Sequence, residues 1–109
     1  MPSNAGSGTQ AAVIGTEHTL LTTTTVGNYV FKVDKAAMQA GDTLELRIYD
    51  TVLSGGVSRV AYEVTYSGVQ PADDMISISV PIPILVQFVA TLKQTVGTGR
   101  SFPWMAILL

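Results

Sequence analysis

Hydrophobic and polar side chains alternate along most of this chain, which is the pattern of half-buried β-strands. In residues 43–52 the side chains of Leu44, Leu46 and Ile48 share one face, and mainly polar side chains occupy the other. Such alternation predicts an antiparallel strand with one face on a core and the other in solvent. The same period-two pattern recurs in residues 16–26, 29–34, 57–66, 75–84, 85–95 and 101–109.

Turn-forming residues separate these segments at short intervals, for example Gly27-Asn28, Ser54-Gly55-Gly56 and the glycines of residues 96–100. Only residues 35–41 favour a helix, and they are long enough for a single turn with Asp34 as its N-cap. About seven strands in this order predict one all-β domain. We expect an antiparallel β-sandwich, either jelly-roll or immunoglobulin-like.

Residues 75–84 are expected at a sheet edge or at a crossing between sheets. Pro81 and Pro83 cannot donate ladder hydrogen bonds, and alternation places them opposite a run of β-branched residues. The predicted core consists of side chains on the apolar faces of the strands from residue 43 onwards. These residues are Leu44, Leu46, Ile48, Val60, Tyr62, Val64, Ile76, Ile78, Phe88, Leu92, Phe102 and Trp104.

The first twelve residues differ from the rest, because they are small, polar and rich in glycine. They offer too little apolar surface to offset the entropy lost on ordering, about 1–2 kcal/mol per residue. We therefore expect an extended N-terminal arm over residues 1–12 and a sandwich domain over residues 13–109. The arm is expected to pair with another chain by strand addition, with Ala11, Val13 and Ile14 as the interface residues.

Composition adds to this expectation of contacts with neighbours. Charged residues make up 13% of the chain, against about 25% in ordinary domains, and 47% of the residues are hydrophobic. This balance favours a surface that other subunits partly cover. A net charge of −2 gives no electrostatic reason to bind nucleic acid. No apolar run is long enough to cross a membrane as a helix, and there is no cysteine for a disulfide.

Candidate chemistry is sparse. His18 is the single histidine, and neither a zinc site nor a catalytic triad can be assembled from the residues around it. Asp73-Asp74 could contribute to a calcium site, but loop carboxylates are more often simply solvated. The sequence therefore predicts no catalytic residues, no metal ligands and no cofactor, and a protein that is not an enzyme.

Two further elements have competing interpretations. Gly97-Thr98-Gly99-Arg100 superficially resembles a phosphate-binding loop, but it separates two strands instead of leading into a helix, so a turn is predicted. Phe102 and Trp104 alternate on the last strand and could stack on sugar rings. We expect them in the core, because strand aromatics more often fill it.

Two segments resemble small virion proteins encoded in the structural gene clusters of tailed bacteriophages, and the resemblance spans roughly residues 29–109. The first segment runs from Val33-Asp34 through Gly41-Asp42 to Tyr49, and the second covers residues 91–104. The most specific part is the closing run Gly97-Thr98-Gly99-Arg100-Ser101-Phe102-Pro103-Trp104.

This resemblance implies a structural virion component, and no functional residues carry over from it. Decoration (cement) proteins, which often form trimers on capsids, belong to the same broad class. The expected role is therefore a capsid-stabilising decoration protein, as a homo-oligomer with a trimer favoured, bound to the major capsid protein or another virion protein. The alternatives are a neck or tail structural protein, and a carbohydrate-binding β-sandwich module for host surface glycans.

Overall fold

The computed structural model describes residues 2–109, which form nine β-strands and no helix. Every strand pairing is antiparallel, so the all-β antiparallel prediction is confirmed. The strands are β1 (Ser3–Ala11), β2 (Glu17–Thr23), β3 (Gly27–Asp34), β4 (Thr43–Thr51), β5 (Arg59–Ser67), β6 (Ile76–Ile78), β7 (Ile82–Ile84), β8 (Gln87–Val96) and β9 (Ser101–Leu108).

Two sheets pack face to face as a sandwich. The first sheet has the order β1-β9-β3-β6, with β7 also paired to β3, and the second has the order β2-β8-β4-β5. Because β6 and β7 lie end to end along β3, they occupy one strand position between them. Apart from the β4–β5 hairpin, successive strand positions alternate between two four-position antiparallel sheets, which is the jelly-roll arrangement of the two predicted topologies.

The core lies between the sheets and is built from the inward face of each strand. Tyr29 and Phe88 stack across it with ring centroids 4.8 Å apart, a favourable aromatic geometry. Six of the predicted core residues are fully buried: Leu44, Leu46, Ile48, Phe88, Leu92 and Phe102. Tyr62, Val64 and Trp104 are half-buried and pack against that core.

Val60 was expected in the core, but it is exposed. The register of β5 against β4 shifts between Ile48 and Tyr49, so Ile48 faces Tyr62 while Tyr49 faces Val60. Ala61 is the extra residue of this bulge. A bulge reverses the inward and outward alternation, and Val60 therefore points out of the sandwich.

Ile76 and Ile78 were also expected in the core, and this was wrong, because Ser77 and Ser79 take the inward positions. The Ser77 hydroxyl bonds the Tyr66 hydroxyl at 2.8 Å. The Ser79 hydroxyl accepts the backbone N–H of Phe31 at 2.9 Å. Buried polar groups are retained where they satisfy each other in this way, and the isoleucines are left on the outside.

The predicted helical turn at residues 35–41 is a set of turns without helix. Its start is as expected, because Asp34 Oδ1 accepts the N–H of Ala36 at 2.9 Å. Lys35 then points inward and is completely buried. The segment crosses from the first sheet to the second through isolated turns, such as the one closed by Met38 N–H and the Lys35 carbonyl at 3.1 Å.

Residues 3–11, predicted as an arm held by another chain, form strand β1 of the chain's own first sheet. They pair with β9 from Ser3 opposite Leu108 to Ala11 opposite Ser101. The extended conformation agrees with the sequence analysis, but the pairing partner differs. Backbone hydrogen bonds need no apolar side chains, which is why the composition of this segment did not reveal the pairing.

Candidate interaction surfaces

The outer surface of the first sheet carries apolar side chains where a free sheet face would carry polar ones. Ile76, Ile78 and Met105 are 53%, 60% and 37% exposed. Pro103 is also exposed, and Val30 and Ile107 are half-buried beside them. We call these six residues the apolar face. A contiguous apolar surface on a small soluble domain is typical of an interaction site.

The strand register explains why these side chains lie together. Val30 lies directly opposite Ile107, and Lys32 lies between Met105 on one neighbouring strand and Ile78 on the other. A shallow groove of about 220 Å³ runs between β3, β6 and β9 along this surface. Lys32 and Asp34 are the charged groups at the groove, so the apolar face is interrupted along β3 by the lysine that lies between Met105 and Ile78.

Charged and hydroxyl-bearing side chains predominate on the outer surface of the second sheet, which we call the polar face, although Val60 is also exposed there. Arg47 Nε donates to Glu63 at 2.6 Å, and its two terminal nitrogens lie 3.6 Å from Glu45 and 3.7 Å from Glu17. Glu17 also accepts hydrogen bonds of 2.7 Å from the hydroxyls of Tyr49 and Thr91. Threonines continue this surface along β2, β5 and β8.

Hydrogen bonds on the polar face favour the ionised forms of Glu17 and Arg47. Partial burial opposes ionisation of Glu17, but hydrogen bonds from Thr91 and Tyr49 together with nearby Arg47 hold the pKa of its carboxyl below the ordinary value. The hydrogen bond to Glu63 raises the pKa of Arg47. These paired charges are partly buried and still reach solvent, so each pair contributes modestly to stability. The polar face is therefore suited to water.

The two ends of the sandwich also differ. At one end lie the β2–β3, β4–β5 and β7–β8 connections, since Thr51 pairs with Gln87 and Gly27 with Ile84. These connections carry five strongly exposed apolar side chains, which we call the apolar end. They are Val26, Val52, Leu53, Val57 and Leu85.

The opposite end is held together by polar contacts around Asp42, which is almost completely buried. Its carboxylate accepts hydrogen bonds from the N–H of Gln39 at 2.9 Å and from Arg100 Nε at 2.9 Å, with the N–H of Thr98 at 3.3 Å. These hydrogen bonds, from Gln39 first of all, hold the pKa of the Asp42 carboxyl below its usual value.

Gln94 completes this polar end. It is fully buried, its Nε2 donates to the carbonyl of Thr98 at 2.8 Å, and its Oε1 accepts the N–H of Arg100 at 3.1 Å. The glycine-containing loop at residues 97–100 is thus a turn folded onto Asp42 and Gln94, and the amides of Thr98 and Arg100 donate to these two side chains. This is the turn that the sequence predicted, in place of a phosphate-binding loop.

Lys35 is a charged side chain that the fold buries, and it was not identified from the sequence. Its side chain is fully buried, its Nζ donates to Gln70 Oε1 at 3.1 Å, and it lies 3.4 Å from the centroid of the Tyr66 ring. Asp74 is 3.8 Å away at the surface. Burial lowers the pKa of Lys35 despite this carboxylate. The position of Lys35 in the sequence, after a strand and before two alanines, does not indicate that its side chain is buried.

The predicted interface residues Ala11, Val13 and Ile14 are all exposed at the β1–β2 turn. They lie at the polar end, away from the apolar end. His18 supports this turn, because its Nε2 accepts the N–H of Val13 at 3.1 Å and its Nδ1 is 3.3 Å from Gln10 Nε2. His18 thus has a local structural contact, and the interface role of the three residues stays a prediction.

All eight aromatic residues lie within residues 2–109, and none is exposed. Tyr29, Phe31, Phe88 and Phe102 are fully buried. Tyr49, Tyr62, Tyr66 and Trp104 are half-buried. The predicted placement of Phe102 and Trp104 in or against the core is confirmed. Neither forms part of an exposed aromatic platform.

In the part of the chain that the structure describes, no three His, Asp or Glu residues are grouped so that they could hold a metal ion. Residues 2–109 also contain no helix long and apolar enough to cross a membrane. Exposed apolar side chains lie on the apolar face and at the apolar end, and also at the polar end, where Val13, Ile14, Val69 and Val96 are exposed.

No protein-family model matches this chain, and neither the curated proteins nor the solved structures contain a significant match to it.

Proposed function

We propose that this protein is a non-enzymatic structural subunit of a tailed-bacteriophage virion, specifically a decoration protein that strengthens the capsid through contacts with its neighbours. The observation that carries this proposal is the contrast between its two outer sheet surfaces. A free monomer gains nothing from exposing Ile76, Ile78 and Met105 while its opposite surface carries a solvated ion-pair network.

The proposed orientation follows from this contrast. The apolar face and the apolar end lie against the major capsid protein or another virion protein, and the polar face lies towards water. Interfaces in permanent assemblies are large and apolar. The protein forms a homo-oligomer on the shell, with a trimer favoured by the resemblance.

The jelly-roll topology supports the proposal by analogy alone. This fold recurs in viral capsid proteins and also in lectins, and a fold by itself does not specify a function. The specific link to phages is the resemblance carried by residues 33–49 and 91–104. In the structure, Asp42 of the first segment bonds Thr98 and Arg100 of the second, so the two segments meet at one site.

The lectin-like alternative has less support. Sugar-binding sandwiches use exposed aromatic rings as stacking platforms, and each of the eight rings here is buried or half-buried. No specific contact in the described residues favours a glycan over a protein neighbour.

The experiment is rebinding of purified protein to phage particles that lack it. Ile78→Lys places a charge on the apolar face, and Thr65→Lys is the matched control on the polar face. Loss of one buried apolar side chain costs at least about 1.4 kcal/mol, so occupancy at limiting concentration should fall about tenfold or more for Ile78→Lys. Equal occupancy of both variants would refute the proposed orientation, and no rebinding by the wild type would refute the role.

A further inference from the structure

The two sheets have four open edges, and open edges can pair with other chains unless something prevents it. The first sheet ends at β1 on one side and at β6 and β7 on the other, and the second ends at β2 and β5. Natural sheets protect their edges with charges, prolines, bulges or very short strands. The four edges of this protein differ in these protections, and an edge without them can pair with another chain.

Three of the edges are protected. The β6 and β7 segments have three residues each, and Pro81 and Pro83 interrupt their ladder. Strand β5 carries Arg59 and Glu63 and has the bulge at Ala61. Strand β2 begins at Glu17, and its register shifts between Thr19 and Leu21.

Strand β1 has none of these protections along most of its length. It has nine residues from Ser3 to Ala11, with no charged residue and no proline among them. Its one register shift lies near its start, between Asn4 and Gly6, and the pairing with β9 is regular from Gly6 to Ala11. Ser7, Gly8 and Thr9 are exposed, so their small side chains leave the edge open.

We propose that two copies of this chain join by antiparallel pairing of their β1 strands, so that their first sheets form one continuous sheet. A two-fold contact brings the same strand from each copy together. Any charge on that strand would therefore face a like charge on the second copy. Strand β1 avoids this repulsion because it is uncharged. Full overlap of the two strands places Ser7 opposite Ser7 of the second copy.

This pairing also enlarges the apolar surface that a neighbouring protein can contact. Joining the two first sheets at β1 brings both apolar faces to the same side of one sheet, where they form a wider surface for a neighbour. The inference deepens the structural role proposed above and rests on it for its purpose. It is separate from the threefold contact that the resemblance implies, and it can be tested on the free protein.

The test uses the absence of natural cysteines. Ser7→Cys gives each chain one thiol at the centre of β1, and Thr22→Cys and Thr65→Cys are matched exposed controls on the β2 and β5 edges. Pairing places the two thiols at high local concentration, so Ser7→Cys should form a disulfide dimer at least about tenfold faster than either control. Sedimentation of the wild type at micromolar concentration should show a dimer.

Ser7→Lys is the second variant, because it places like charges opposite each other across the two-fold axis. It should shift the wild-type dimer towards monomer while the melting temperature of the monomer stays near that of Thr22→Lys. If Ser7→Cys oxidises as slowly as the controls, or if a dimer persists in Ser7→Lys, the β1 pairing is wrong. Either failure would leave rebinding to particles, and hence the proposed role, unaffected.

Discussion

Arg100 Nε donates a hydrogen bond of 2.9 Å to Asp42 Oδ2 across 58 residues of sequence. This contact joins the β3–β4 connection to the β8–β9 turn, so it links the two sheets at the polar end. Asp42 also accepts the amides of Gln39 and Thr98. One buried carboxylate thus holds the β3–β4 connection and the β8–β9 turn together, through two backbone amides and one arginine side chain.

Replacing this carboxylate should destabilise the domain substantially. Asp42→Ala leaves Arg100 and two amides without their acceptor, at a cost of about 2–3 kcal/mol. For a domain of this size that lowers the melting temperature by roughly 10 °C. Asp73→Ala, in an exposed loop, is the control and should melt like the wild type. A wild-type melting temperature for Asp42→Ala would show that the contact has little energetic value.

The stability of the domain should fall in acid because of the same residue. Its carboxyl has a pKa below the ordinary 3.8, so in the acid range the unfolded chain binds a proton that the folded chain does not. The free energy of unfolding therefore decreases as the pH falls from about 5 through the folded pKa. Urea titrations across this range should show a smaller decrease for Asp42→Asn than for the wild type. Equal slopes would exclude Asp42 as a main source of acid sensitivity.

Gly97 should tolerate no side chain. Its φ is +100°, and a Cβ at this position would overlap the Asp42 carboxylate. Gly15 also has a positive φ, 81°, but a Cβ there meets no atom within 4 Å. Gly15→Ala thus reports the backbone strain alone, about 1–2 kcal/mol, and Gly97→Ala should lose clearly more stability in denaturant unfolding. Equal losses would mean that the packing on Asp42 is unimportant.

Removing β1 should weaken the domain and expose its single tryptophan. A Cβ added at Gly8 would lie 3.5 Å from Trp104 Nε1, which shows how closely the strand covers this ring. Deletion of residues 2–10 should lower the melting temperature and shift the fluorescence emission of Trp104 to longer wavelength. Deletion of Pro2 alone is the control. An unchanged spectrum and melting temperature would support the arm expected from the sequence.

Much of this fold could be predicted from alternation and turn residues. The face of β4 with Leu44, Leu46 and Ile48 was found correctly because alternation without bulges places residues reliably. The predicted burial failed at Val60, where a bulge changes the phase, and at Ile76 and Ile78, where alternation holds but the serines take the inward face. A one-residue shift moves every side chain that follows it to the opposite face of the sheet. The neighbouring residues do not indicate where such a shift occurs.

The surfaces were harder to predict than the fold. The low charge of the whole chain indicated covered surface, but it did not show that the charges concentrate around Arg47 on one sheet. The burial of Lys35 depends on Tyr66 and Gln70, which are more than thirty positions away. Contacts of this kind arise only from the tertiary arrangement of the strands.

The most direct test of the structural role is an image reconstruction of a phage particle that contains this protein. If the proposed orientation holds, Ile76, Ile78 and Met105 lie against a neighbouring virion protein, and the Arg47 ion-pair network of the opposite sheet faces solvent. A reconstruction in which the apolar face is open to solvent while the Arg47 surface makes the contact would contradict it, as would particles that contain no copy of the chain.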